Sequence, residues 1–249
     1  MVVTAREGPV KKLALGAAGM LMLATTIAAY SAFGGWAVVK VSKIPDAWVA
    51  GKPLELRWQV RQHGVRPMGP EDHLRPTLEA RSGSRVVRGT AESYTEEGWT
   101  GFRGKVVFPT TGDWHVTINS GFGDARAVLL PWRVVDSVRT IRGTVEEHVA
   151  TLGISRFSEV ERGRRLFVSQ GCVTCHVHRA VEIASQMSTF GPELTDRRLS
   201  ADYLAKFLAN PAIKPVAAGK PQMPNLDMRE KEITPLVAFL TAERRAATK

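Results

Sequence analysis

The stretch Leu54-Glu55-Leu56-Arg57-Trp58-Gln59-Val60 alternates apolar and polar residues without a break. A period of two is that of a strand with one face in a core and the other in water. Asp113-Trp114-His115-Val116-Thr117-Ile118 repeats it. Thr77–Ala80, Arg85–Arg88, Phe102–Phe108 and Ala127–Val135 are further strand candidates. Gly-containing turns separate them, as at Arg81-Ser82-Gly83-Ser84 and Glu96-Glu97-Gly98. About six to eight short strands at such spacing predict a β-sandwich over residues 40–136.

The period changes near residue 158. A helix is expected from Ser158 to Gln170, with Val160, Gly163, Phe167 and Val168 facing inward. A second is expected from Ser200, a good N-cap, to Ala209, where Asn210-Pro211 stops it. A third is expected from about Asp227 to Arg245. Asp227 and Glu230 suggest a capping box at its start, and Pro235 inside it predicts a late start or a kink. At the other end of the chain, Leu13 to Val39 carries no charged residue, and Arg6, Lys11 and Lys12 precede it. That run exceeds the roughly 20 residues that span a bilayer. It predicts a single-pass anchor in the inner (cytoplasmic) membrane, with a cytoplasmic N-terminus and an exported remainder. A cleaved signal peptide is the competing reading, but the run is long for one and Ile27-Ala28-Ala29 is a poor cleavage site. The expected organisation is a cytoplasmic segment (1–12), a transmembrane helix (13–39), a β-sandwich (40–136), a linker (137–156) and a helical domain (157–249).

The net charge is +10, with no block of like charges. A spread basic surface suits an acidic protein partner. No signature supports nucleic-acid binding. Neither a phosphate-binding loop nor a nucleophile elbow is present, so an enzyme is not expected.

Both cysteines of the chain lie in Gly171-Cys172-Val173-Thr174-Cys175-His176-Val177-His178. Four chemistries use two thiols three apart: a structural disulfide, a redox pair, half of a zinc site, and covalent haem attachment. Zinc would need two further ligands at regular spacing, and there is no second C-x-x-C. A redox pair would open a helix after a strand, whereas here a helical segment precedes the motif. Haem attachment calls for a histidine directly after the second cysteine, which His176 supplies. A distal ligand must then come from elsewhere, and a methionine thioether suits it.

Residues 157–245 resemble class I c-type cytochromes. Glu161-Arg162-Gly163-Arg164-Arg165-Leu166-Phe167 is similar to that family's N-terminal helix. Phe190-Gly191-Pro192-Glu193-Leu194-Thr195 is similar to its Gly-Pro-x-Leu segment, Gln222-Met223-Pro224-Asn225 to its distal Met-Pro, and Ile233–Leu240 to its C-terminal helix. The resemblance covers about 90 residues and implies an all-α domain carrying one haem c. It implies that Cys172 and Cys175 hold the haem, that His176 is the proximal iron ligand and that Met223 is the distal one. Pro192 would accept a hydrogen bond from His176. Gly163 and Phe167 would pack near Leu236 and Phe239. Met187 and Met228 compete with Met223. Met187 is close in sequence to His176, and Met228 is expected to begin the last helix. His178 is expected beside solvent or a haem propionate rather than on iron.

The order of anchor, sandwich and cytochrome resembles subunit II of haem–copper oxidases. The sandwich there carries copper, which needs thiolate ligands. Both cysteines here are committed elsewhere, and His63, His73, His115 and His148 remain, so no copper centre is expected. Gly112-Asp113-Trp114 after Phe108-Pro109 resembles immunoglobulin-like domains, which implies a spacer or docking surface. The fold expected overall is multidomain: one transmembrane helix, an immunoglobulin- or cupredoxin-like sandwich, and an all-α cytochrome domain. The function expected is single-electron transfer on the periplasmic side, as a carrier or as a subunit of a respiratory or photosynthetic complex. The alternatives are an accessory structural subunit, or an oxidase subunit in which haem c replaces copper.

Overall fold

The computed structural model describes residues 35–42, 44–136, 157–181, 190–216, 218 and 222–246. Among the described residues, ten strands come first: β1 (Ala37–Val41), β2 (Ala47–Val49), β3 (Pro53–Gln62), β4 (Arg66–Pro67), β5 (Thr77–Ser82), β6 (Arg85–Glu96), β7 (Trp99–Val107), β8 (Gly112–Asn119), β9 (Arg126–Val128) and β10 (Trp132–Val135). Three α-helices follow among the described residues: α1 (Glu159–Ser169), α2 (Ala201–Ala209) and α3 (Glu230–Ala246).

The alternating segments are strands as their period requires. In β3, Leu54, Leu56, Trp58 and Val60 are buried, while Glu55 and Arg57 face water. In β8, Trp114, Val116 and Ile118 are buried and His115 is exposed. The sheet, however, is not a two-layer sandwich. Its strands follow one hydrogen-bonded path, β1-β3-β7-β6-β5-β8-β10-β2, with β4 on β3 and β9 on β8. Strand β6 explains the difference. Its residues 85–89 pair with β5 and its residues 90–96 pair with β7, so one long strand joins what would otherwise be two sheets. The result is a curled sheet wrapped around Trp58, Phe102, Phe108, Trp114 and Trp132, all fully buried. The Phe108 ring lies 5.5 Å from Trp114 and 6.4 Å from Trp132.

The helices do not form an all-α domain of their own. The described residues from Trp36 onward fall in one compact unit, and Phe167, Val173, Leu236 and Phe239 belong to the same apolar cluster as Val38, Val39 and Val60. Polar contacts tie the two parts together. Arg162 makes a two-pronged bond to Asp46, at 3.0 Å on each oxygen. Arg165 donates to the Pro131 carbonyl (2.9 Å) and Gln170 to that of Val41 (3.3 Å). The expected separation into a sandwich and a cytochrome domain is therefore corrected to a sheet and helices that share a core.

The single-pass anchor drawn over residues 13–39, and the inner-membrane location resting on it, are also corrected. Ala37, Val38 and Val39 are not the end of a helix: they lie in β1, all of whose residues are buried. A strand covered on both faces reads as an unbroken apolar run, and this run merged with the apolar residues before it. Among the described residues, no helix is long and apolar enough to cross a membrane. Residues 1–34, like the expected linker 137–156, lie outside those described.

Helix α1 starts where Ser158 Oγ accepts the Glu161 amide (3.2 Å). Helix α2 starts in the same way at Ser200, which accepts from Tyr203 (3.2 Å). Helix α3 begins later than expected. Its cap is Arg229, whose amide and guanidinium both donate to Glu232 (2.8 and 2.9 Å). Pro235 sits inside the helix, and the bond it removes would have ended at the carbonyl of exposed Lys231 in the first turn. Helices α1 and α3 meet at Gly163. A Cβ there would collide with the Pro235 carbonyl and stand 2.7 Å from Phe239 Cβ.

Two expected outcomes follow from these contacts. Gly163→Ala gains about 1 kcal/mol of helix propensity, but the clash is with backbone, where overpacking costs about 1–3 kcal/mol. Chemical denaturation should show a net loss, and an unchanged midpoint would mean that α3 yields freely. Glu232 offers a pH test. Burial alone would raise its carboxyl, but the Arg229 hydrogen bonds and charge, with Lys40, outweigh burial and hold it below its ordinary 4.5. A carboxylate depressed in the fold adds stability above its unfolded value and loses it as pH falls through the folded value. Stability should therefore decline below about pH 4.5, and less steeply in Glu232→Gln.

Candidate functional site

Helix α1 ends at Gly171, whose φ of +77° turns the chain into one tight helical turn over Cys172–Thr174. The His176 and Cys175 amides both donate to the Cys172 carbonyl, at 2.9 and 3.1 Å. Cys172 is buried, Cys175 is half-buried, and the two are not joined in a disulfide. Burial, with the neighbouring Cys175 adding to it, pushes the Cys172 thiol up to about 12. Redox pairs of the thioredoxin kind need the opposite shift, because the thiolate is the nucleophile.

Segment 190–194 is zipped against this turn. The Gly191 amide donates to the Cys175 carbonyl (2.7 Å) and the Leu194 amide to that of Val177 (2.8 Å). The next residue after Gly191 presents its carbonyl to the imidazole. His176 Nδ1–H donates to Pro192 O at 2.9 Å, which leaves Nε2 as the nitrogen free to act. Burial lowers the His176 pKa, the Pro192 bond partly opposes that, and Arg197 adds to the lowering. The ring is thus held neutral, the form that ligates metals. Gly191 is needed by contact: a Cβ there would stand 2.5 Å from both Cε1 and Nδ1 of His176.

His176 and Met223 line the same cavity, with Cys172 and Pro192 also in its wall. Its volume is about 230 Å³, more than ten times what one buried water needs, so it is not a packing flaw. Apolar residues from all three helices line it, among them Phe167, Leu204, Leu208 and Leu236. Met223 comes from the irregular stretch 222–229, where Gln222 holds the Pro211 carbonyl at 3.0 Å. Among the described residues, no carboxylate lines the cavity, and its cations are Arg197 and Lys214. A neutral imidazole and a thioether facing an apolar space form a donor pair for a soft metal rather than an acid–base pair.

The structure therefore brings Cys172, His176, Pro192 and Met223 to one cavity, with Cys175 on the same turn. Met228 is buried in the core before α3 rather than in the cavity wall. Met187 lies outside the described residues. Gly163 and Phe167 meet Phe239 as the resemblance implies, with Phe167 and Phe239 rings 5.7 Å apart. His178 differs from its expected place beside solvent. It is 2% exposed, and its ring lies 4.4 Å from that of Phe239. The Ala180 amide donates to its Nδ1 at 3.2 Å. It is a core histidine. His63 and His73 lie in turns of the sheet region and His115 on an exposed strand face, while His148 is not among the described residues. Among the described residues, no three His, Cys, Asp or Glu side chains gather into a cluster. Sequence reasoning missed the α2 wall and the two cations. The pairs Tyr203-Leu204 and Phe207-Leu208 in α2, four apart, were the available signal.

No family model matches the chain, and no curated protein matches it. The resemblance to c-type cytochromes thus rests on the residues quoted above.

Gly191→Ala should displace the imidazole and break its bond to Pro192, at a cost of about 1–3 kcal/mol. NMR shifts of the His176 ring nitrogens would report it. Unchanged shifts and stability would mean that segment 190–194 slides without consequence.

Proposed function

We propose that this chain is a monohaem c-type cytochrome that passes single electrons between redox partners. The observation that carries the reading is the shared apolar cavity of His176 and Met223, with the C-x-x-C turn in its wall. Cys172 and Cys175 would hold the haem by thioether bonds, His176 would be the proximal ligand and Met223 the distal one. Arg197 and Lys214 suit the two carboxylates of such a group. Bound there, haem would supply a reversible ferrous–ferric couple, and His/Met ligation in an apolar pocket favours a high potential.

The protein's own part is to orient and to exclude. Pro192 fixes the tautomer and plane of His176. Gly191 lets that carbonyl approach. Phe167, Leu204 and Leu236 keep water out, which limits reorganisation when charge changes. The basic surface suits an acidic redox protein or an electron-transport complex as partner.

Expression in a host that attaches haem c tests the reading. Covalent haem should stain on a denaturing gel of the wild-type chain and disappear in the double variant Cys172→Ala/Cys175→Ala. Wild-type chain without covalent haem would sink the proposal. Met223→Ala should lower the reduction potential, and an unchanged potential would remove Met223 from the iron.

A further inference from the structure

The stretch that carries Met223 has no regular secondary structure. Its own internal support is slight: Asn225 Oδ1 accepts the Asp227 amide at 2.9 Å. Before Met223, Gln222 holds the Pro211 carbonyl at 3.0 Å; after Met223, the supports come from the sheet, more than 160 positions earlier in the chain. Lys40 of β1 donates to the Leu226 carbonyl and, at 3.2 Å, to that of Asp227. Arg61 of β3 donates to the Asn225 carbonyl (3.2 Å) and to the Asp227 carboxylate (2.8 Å). The Pro224 ring packs against Gly64 in the turn after β3.

The two cations are themselves held still. Arg61 also donates to the carbonyls of Gly64 (3.1 Å) and Val65 (3.1 Å), so its guanidinium is fixed by its own turn. Lys40 and Arg61 are 9% and 6% exposed, on neighbouring paired strands. Three of their four acceptors on the 222–229 stretch are backbone carbonyls. Cations gripping carbonyls set the path of the main chain, whatever the side chains do. Met223 lies two residues before the first gripped carbonyl, and Pro224 stiffens the step between them.

We propose that Lys40 and Arg61 are positioning residues for the distal thioether: the curled sheet clamps the 224–227 backbone and so keeps Met223 turned into the cavity. This rests on the haem reading. The sheet is then part of the redox centre. Loosening the clamp lets the stretch open locally, so the thioether leaves the iron more often and the ferrous form loses its advantage.

The test uses the full haem-loaded chain. The readouts are the far-red sulfur-to-iron absorption band of the ferric form, the reduction potential, and the rate at which added imidazole binds. Imidazole can bind only after the thioether has left. Lys40→Met and Arg61→Gln should speed imidazole binding by about tenfold or more, the effect of losing one charge-assisted hydrogen bond. They should also weaken the band and lower the potential. Asp227→Asn should act in the same direction and more weakly. Its side chain is exposed, and Asn tolerates the positive φ found there, so it decides the matter if the other two do not fold. Arg66→Gln, which removes an exposed sheet cation paired with Asp72, should change nothing. Wild-type rates, band and potential in the folded variants would overturn the clamp. A wild-type chain lacking covalent haem or the far-red band would overturn the haem reading itself. That is read before any variant is made, so the two failures are distinct.

Discussion

Strand β1 is covered on both faces, and the rest of the structure depends on that double burial. It pairs with β3 across its whole length, Val39 opposite Val60 and Val41 opposite Trp58. It is also where α1 and the cysteine turn rest on the sheet: the Val41 carbonyl accepts from the Gln170 side-chain Nε2, and Val38 packs against Gly171. Each fully buried valine side chain is worth about 1.5–3 kcal/mol. Without β1, the helices would present an apolar face to water, and β3 would become the end of the strand path.

The site inherits its geometry from this arrangement. One wall is local: the Gly191 amide bonds the Cys175 carbonyl of the C-x-x-C-H turn, and the His176 ring bonds the Pro192 carbonyl, over a short span of chain. The other wall is distant. Met223 stands on a stretch with little structure of its own, braced by cations of the sheet. The two walls thus have different mechanical origins, one within the helical part and one borrowed from the strands.

That difference also explains what could be read from the sequence. Local patterns were legible: the alternation of β3 and β8, the caps at Ser158 and Ser200, the turn at Gly83, the C-x-x-C-H spacing and the Gly-Pro pair. Each depends on residues within a few positions of one another. The pairing of one β6 with both β5 and β7 depends on long-range register, which no local period encodes, so the sequence of a curled sheet reads as that of a sandwich. Val38 and Val39 were assigned to a membrane span, because a strand buried on both faces and a lipid-embedded helix are both apolar throughout. Lys40, next to them, was the clue: a charge ending an apolar run reads as the edge of a membrane, yet here it is a buried cation with carbonyl partners. His178 was placed near water because nothing nearby in sequence announces Phe239 as its neighbour.

The contact from Lys40 to Leu226 spans 186 positions. During synthesis, the strand that offers this cation emerges long before the stretch that receives it. Contacts of such separation form late and slow the folding of the chains that need them. Strand β1 therefore carries a charge whose acceptors at 226–227 do not exist until that stretch has been made. A chain cut before residue 225 would leave Lys40 without these acceptors, and an ammonium without acceptors resists burial. The contact that braces the site thus also ties the comfortable burial of β1 to a stretch made much later in the chain.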